Sequence, residues 1–303
     1  MHYEHLGVVD FFDRVRTEED ARNLLWRAKH DGRDFVCPHC SHEDFYQYEC
    51  RPEIRKCRLC DRQVRLRAGT ILQSSKLPIL TWVRAIFLAM QDKRGVSALQ
   101  MQRELSCKNY RSVWRLLHKV REALRQRDDI YKLKDVIELD GAHFGRQACK
   151  GEADVLVAVE TKDWVDEKGR AKPKAGFAKV TVARETKINA QKFVDHAIES
   201  GSMVNTDGDP ALIHLANVEV DYQVVDAIPE VLERWLPWVH HFIGNAKSWL
   251  IGTHHGIHSK YLRQYLAEYT YRFNRRHDPN GLFHRALTAC AIASPVTVGA
   301  LCA

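Results

Sequence analysis

Asp140 closes one apolar run, VIELD, and Asp207 closes another, MVNTD; 32 residues separate Asp207 from His240, and Lys247 follows seven positions after that histidine. Carboxylates are hard oxygen ligands for divalent cations, and a neutral imidazole nitrogen can complete such a set. Two carboxylates at strand ends, a third metal-capable group on a later helix and a lysine two turns on suit two-metal phosphoryl transfer. In that chemistry paired cations about 3.5–4 Å apart hold the attacking and leaving oxygens. Gly141 and Gly208 follow the two aspartates and permit a tight exit from each strand. A single aspartate at a strand end is usually a turn or cap residue; the order of all four residues is what points to chemistry. Lys247 returns to the helix face of His240 after about two turns, where it could hold a phosphate. His240 ranks first for the third position. Its rivals are His241, about 100° around the helix, and Asn245, just before Lys247. Glu268, beside Arg272, could supply a distant carboxylate, although an ion pair is its simpler use.

A second cluster lies upstream. Cys37 and Cys40 form one Cys-x-x-Cys pair and Cys57 and Cys60 another, with 16 residues between the pairs. Two tight turns at that separation present four thiolates tetrahedrally to one Zn²⁺, a closed and therefore structural site. Nine cysteines in all, an odd number with four of them clustered, favour a metal over a disulfide framework and a reducing cytoplasm as the compartment. Arg55, Lys56, Arg58, Arg62, Arg65 and Arg67 crowd the second knuckle, where they would aim positive charge at phosphates. The formal charge of +7 hides an asymmetry: residues 51–134 carry 21 Lys and Arg against seven Asp and Glu, a net of +14. Basic charge in one block is the signature of a nucleic-acid surface.

The elements that must position these residues follow from periodicity. Residues 1–34 read as helical, with Thr17 as a cap. Residues 35–72 read as a zinc ribbon. Residues 73–132 hold a helix with Pro78 near its first turn, a short helix capped by Ser97, and a long amphipathic helix from Tyr110 to Arg127. That order is the helix-turn-helix pattern. On the long helix Tyr110, Arg111, Trp114, Arg115, His118 and Lys119 are expected outside, with Val113, Leu116, Leu117 and Val120 inside. From Val136 the period changes to strands: VIELDGAHF, DVLVAVET and GFAKVTVAR, the last two joined by an extended hairpin. A helix (NAQKFVDHAIES), strand SMVNTD, a short helix (PALIHLA), strand VEVDYQVV and helices from about Pro229 to Arg276 complete a mixed sheet flanked by helices. The chain therefore reads as α+β and multidomain, with a third large region at 133–280 and an unplaced tail at 281–303. No apolar stretch approaches the ~18 residues of a membrane span. Trp235, Trp238 and Trp249 are read as core, and His254, His255, His258, Lys260 and Arg272 as basic surface, together with Arg275 and Arg276.

With these residues in view, the sequence resembles bacterial insertion-sequence DDE transposases of the zinc-ribbon, ISXO-like type. CPHC…CRLC, RAGTILQSSKLPILTW, IELDGAHFG, VNTDGD and HHFIGNAKSWLIGTHHGIHSKYLRQYLAEYTYRFNRR carry the resemblance, which covers roughly Phe35 to Arg276. It implies a ribonuclease-H-like fold, Mg²⁺ or Mn²⁺, and strand cleavage and transfer on the double-stranded ends of a mobile element by a homo-oligomer that pairs two ends. Asp140 and Asp207 match the metal-binding aspartates, and Lys247 the lysine of the final helix. His240 stands where many relatives have glutamate. An imidazole there is softer than a carboxylate, favours Mn²⁺ more, and removes one negative charge. Two other readings remain open: a DNA-binding regulator with an inactive C-terminal domain, and a nuclease without joining activity.

Overall fold

The computed structural model describes residues 6–145, 148–165, 171–224 and 235–302. It divides into two compact units, Met1–Arg127 with His277–Ala303, and Asp128–Arg276. In chain order the described elements begin with α1 (Val8–Arg14), α2 (Glu18–Lys29), β1 (Phe45–Tyr48), β2 (Arg51–Cys57) and β3 (Gln63–Arg65). Next come α3 (Ile79–Gln91), α4 (Ala98–Glu104) and α5 (Tyr110–Asp128). Then follow β4 (Val136–Phe144), β5 (Cys149–Lys150), β6 (Ala153–Val165), β7 (Ala171–Val182), α6 (Lys187–Ala197), β8 (Met203–Thr206) and β9 (Glu219–Tyr222). The last are α7 (Pro237–His254), β10 (Ile257–His258), α8 (Leu262–Asn274), α9 (Leu282–Ile292) and α10 (Val298–Cys302).

In the first unit, Thr17 and Asp20 close a capping box on α2: the Thr17 hydroxyl accepts from the Asp20 amide at 3.1 Å and the Asp20 carboxylate from the Thr17 amide at 2.8 Å. Pro78 brings no N–H to the start of α3, and the Glu18 carboxylate accepts from the next two amides, Ile79 and Leu80, at 2.8 Å each. Helices α2, α3 and α9 pack on one another, so residues 282–292 of the unplaced tail belong to this core. Phe11 stacks on Phe87 at 3.8 Å, and Phe283 meets both edge-on at 5.3 Å. On α5, Val113, Leu116, Leu117 and Val120 are buried as their spacing requires. His118 departs from its expected outward place: it is fully buried and lies 3.9 Å from the Trp114 ring, because the buried stripe of α5 is wide enough to take in Arg121 as well.

His30 ends α2 between Trp26 and Phe35, its ring parallel to the indole at 5.6 Å. Burial, reinforced by Lys29, Arg55 and Arg33, pushes its pKa down to about 4. The folded protein therefore holds this ring neutral while the unfolded chain, with a pKa near 6.5, takes up a proton. The stability that His30 contributes is complete above about pH 6.5 and is lost as pH falls toward 4. Replacing His30 with Phe should flatten that part of the acid-unfolding profile. Denaturant midpoints at pH 7 and pH 5 measure it; equal slopes in both proteins would remove His30 from the account.

The second unit is built on one mixed sheet in the order β7-β6-β4-β8-β9. The pairs β7–β6 and β6–β4 are antiparallel, and β4–β8 and β8–β9 are parallel. Strand alternation gives the sheet two apolar faces. Val155, Val157 and Val159 face α7 and α8, through Val239, Phe242, Ala246, Leu262 and Leu266. Ile137, Leu139, Leu156, Ala158 and Val204 face α6, through Ala190, Phe193 and Val194. Trp235, Trp238 and Trp249 pack against the first of these cores. Strands β6 and β7 run longer than their periodicity suggested; residues 166–170 of the expected hairpin connection lie outside the described residues. The expected helix PALIHLA is instead a run of turns and bends, opened by Asp209 accepting from the Ala211 amide at 2.7 Å. The expected helix start near Pro229 also falls outside the described residues.

Candidate active site

Asp140 lies on β4, on the face that α7 covers. Strands β4 and β8 pair in parallel with Val136 opposite Met203, Ile137 opposite Val204 and Glu138 opposite Asn205. Asp207 directly follows β8, near enough to His240 for its charge to act on the ring. His240, in the first turn of α7, places Nε2 3.1 Å from the Asp140 carboxylate. That hydrogen bond raises the His240 pKa above its ordinary value; burial opposes the rise, and Asp140, Glu138 and Asp207 add to it electrostatically. The Asp207 carboxylate also accepts from the Asp209 amide at 3.1 Å and from the Thr206 hydroxyl at 3.3 Å.

Helix α7 is aimed by a residue that periodicity does not single out. Glu138, 3% exposed and two residues before Asp140, accepts from the Trp238 and Val239 amides at 2.7 and 2.9 Å. It also accepts from the Thr161 hydroxyl at 3.2 Å. Pro237 opens this helix as Pro78 opens α3, and again a distant carboxylate meets the exposed amides. Trp235 adds a second tie, its indole N–H donating to the Thr206 carbonyl at 2.8 Å. Glu138→Ala leaves two buried amides without an acceptor and is expected to cost about 3 kcal/mol of stability. Glu138→Gln keeps one acceptor and should cost less; equal denaturation midpoints for all three proteins would refute the clasp.

Lys247 stands further along the same helix face, its ammonium 5.4 Å from the Phe144 ring centroid. Phe144 is four residues beyond Asp140 on β4, and seven helical residues span about 10 Å. The lysine therefore sits well away from the carboxylate pair. The rivals for the third position are placed elsewhere: His241 is exposed against Trp238, Asn245 is exposed, and Glu268 is buried in an ion pair with Arg272 at 3.3 Å.

Glu185, absent from the sequence expectations, belongs to the same neighbourhood. It precedes the α6 cap Thr186 and lies against β4, where a Cβ built on Gly141 would overlap its carboxylate. Burial, then the charges of Asp209, Asp140, Asp207 and Asp154, pushes its pKa up to about 7.

The donor set suits a hard divalent cation: two carboxylates from neighbouring strands and one imidazole. Among the described residues only the four cysteines gather every ligand atom within 4.8 Å; Asp140, Asp207 and His240 do not close to that degree. The cysteine site is built from two copies of one turn. The Ser41 amide donates to the Cys37 carbonyl and the Asp61 amide to the Cys57 carbonyl, at 2.9 and 3.2 Å. Ser41 and Asp61 take φ of 59° and 60°. Cys37–Cys60, Cys40–Cys57 and Cys40–Cys60 sulfurs stand 3.5 Å apart. Four thiols so placed fit one Zn²⁺.

Several arginines expected at DNA are used internally. Arg55 is 3% exposed and lies over the Trp26 and Phe45 rings at 4.7 and 4.2 Å. It donates to the Asp34 carbonyl and to the side chains of Gln47 and Asn23. Arg67 grips Glu53 through two bonds of 2.9 Å. Lys119 donates to the Ile71 and Gln73 carbonyls. Arg275 pairs with Asp128 at 2.6 Å, and Arg276 donates to the carbonyls of Ala175, Gly176 and Phe273. Lys56 pairs with Asp61 at 2.7 Å. Arg58, Arg62, Arg65, Arg111 and Arg115 remain exposed. His254 packs between Trp249 and Tyr265, and His258 caps the Lys260 amide, so those histidines form no joint site.

Residues 132–274 match the family model of the ISXO2-like transposase domain. No curated protein and no solved structure matches the chain. A mixed sheet flanked by helices is compatible with the ribonuclease-H-like fold of such domains. No helix among the described residues is long and apolar enough to cross a membrane.

Proposed function

We propose that this chain, whose residues 132–274 carry an ISXO2-like transposase domain, is a transposase that cuts and joins DNA with Asp140, Asp207 and His240 at its centre. The observation that supports the reading most directly is the 3.1 Å contact of His240 with Asp140, with Asp207 directly after β8, the strand that pairs with β4. Mg²⁺ or Mn²⁺ held by these three side chains would lower the pKa of an attacking oxygen and offset charge on the leaving one. The side chains themselves do the positioning. Glu138 fixes the first turn of α7, and that turn fixes His240 over Asp140. Lys247, farther along the helix, binds a neighbouring phosphate of the same strand. A water attacks the phosphodiester at the element end; the bond from phosphorus to the element's 3′-oxygen breaks and the flank keeps a 5′-phosphate. The freed 3′-hydroxyl then attacks a target phosphodiester in line, loses its proton and displaces a target 3′-oxygen. The exposed Arg58, Arg62 and Arg65 of the zinc-bound ribbon, with Arg111 and Arg115 on α5 of a helix-turn-helix, bind the element ends through phosphates and bases. Pairing two ends requires at least two copies of the chain.

The test is strand transfer with purified protein, a duplex from the element's own end, and Mg²⁺ or Mn²⁺. Joined product is expected, with Mn²⁺ the better ion because imidazole is a softer ligand than carboxylate. Tight, specific binding without cleavage in either metal would instead favour the regulator reading, and cleavage without joining the nuclease.

A further inference from the structure

We infer that Glu185 is a fourth metal-binding side chain of this site, reaching the Asp140–Asp207 pair from the sheet face opposite His240 through the gap left by Gly141. The inference rests on the reading of Asp140 and Asp207 as cation ligands. Along β4, alternation sends Asp140 toward α7 and the next position, Gly141, toward the α6 face. Glu185 sits at the start of α6 and fills the space that a side chain at 141 would occupy. Pairing of β4 with β8 is recorded only up to Glu138 and Asn205, so at 140 and 141 that edge of β4 is not paired with β8. A carboxylate lying against Gly141 at this edge is near enough to both aspartates for their charges to act on it.

The other acidic groups nearby are engaged. Asp154 pairs with His143 at 3.0 Å, and Asp209 caps the Ala211 amide. Glu185 has no hydrogen bond or ion pair among the described residues, although it is partly buried among four carboxylates. A buried carboxylate in like-charged surroundings is costly unless a cation joins it. The donor count points the same way. Histidine at position 240 leaves two carboxylates to balance two divalent cations, and Glu185 restores the third negative oxygen donor. His240 from one face and Glu185 from the other would each add one donor to the two aspartates.

The test is calorimetric titration of Mn²⁺ into the full, zinc-loaded chain, beside thermal melts. Glu185→Gln and Gly141→Ala, the second by putting a methyl group where the carboxylate lies, should each weaken Mn²⁺ binding at least ~10-fold. Wild-type affinity and stoichiometry in both, with Asp207→Asn weakened, would overturn the role of Glu185 and leave the site standing. Equal binding by wild type and Asp207→Asn would overturn both. If Glu185→Gln shifts the melt, Glu185→Asp decides in the same titration: weakened binding supports the role, wild-type binding overturns it.

Discussion

Asp207→Asn is expected to remove joined product by ~10³-fold or more while DNA binding stays at its wild-type level. Asparagine keeps the size and one oxygen, so the turn with the Asp209 amide can persist. What it loses is the charge that, in the proposed mechanism, would hold a cation together with Asp140. The cations offset developing charge on both the attacking and leaving oxygens, an effect of several kcal/mol, and each ~1.4 kcal/mol is about tenfold in rate. The exposed arginines proposed to bind DNA lie in residues 1–127, a separate compact unit, so binding should not follow the loss. Gel-shift and strand-transfer assays on the same protein separate the two. Joined product within about tenfold of wild type would exclude Asp207 from the centre, and loss of binding alongside would mean the substitution acts on folding.

Removing zinc is expected to unfold the ribbon outright. Its core is small: Phe35, Cys37 and Cys57 are buried, with Phe45, Val64 and the other two cysteines packed against them. Three short strands with that little apolar area cannot offset the entropy of ordering them. Zinc bound to such a site contributes on the order of 10 kcal/mol, and that binding energy is folding energy. Cys57→Ser, or a strong chelator, should drop zinc content from one per chain and release the amides of β1–β3 to hydrogen exchange. The amides of β6 in the other unit should stay protected. Protected β1–β3 amides in a metal-free protein would show that the ribbon folds without an ion.

The features legible in the sequence are those whose geometry is local. A Cys-x-x-Cys pair writes its own turn, and both knuckles adopt it. Periodicity identifies the strands of both aspartates, but Asp140 lies midway along β4, which runs on through Gly141 to Phe144 instead of turning there, while Asp207 directly follows β8; His240 and Lys247 fall on one helix. What stayed hidden depends on contacts between distant segments. Glu18 and Glu138 each cap a helix far along the chain, and nothing in their own surroundings announces it. Glu185 matters through a gap at Gly141, a void rather than a pattern. The buried arginines show a different limit: residue type gives charge but not direction. A clue was present for Arg55, which lies two residues before Cys57 on an alternating strand and so shares the inward face of a ligand. Arg275 and Arg276 gave no such clue, since their acceptors, Asp128 and the carbonyls of β7, lie about 100 or more residues away.

Glu138 grips the first turn of α7 directly, and Trp235 is tied to the strand that precedes Asp207. Where His240 stands is therefore set by β4 and β8 themselves, through Glu138 and the Thr206 carbonyl. A change elsewhere on α7 that spares these two ties would leave His240 over Asp140, so the rest of the helix can diverge in sequence while that contact is kept.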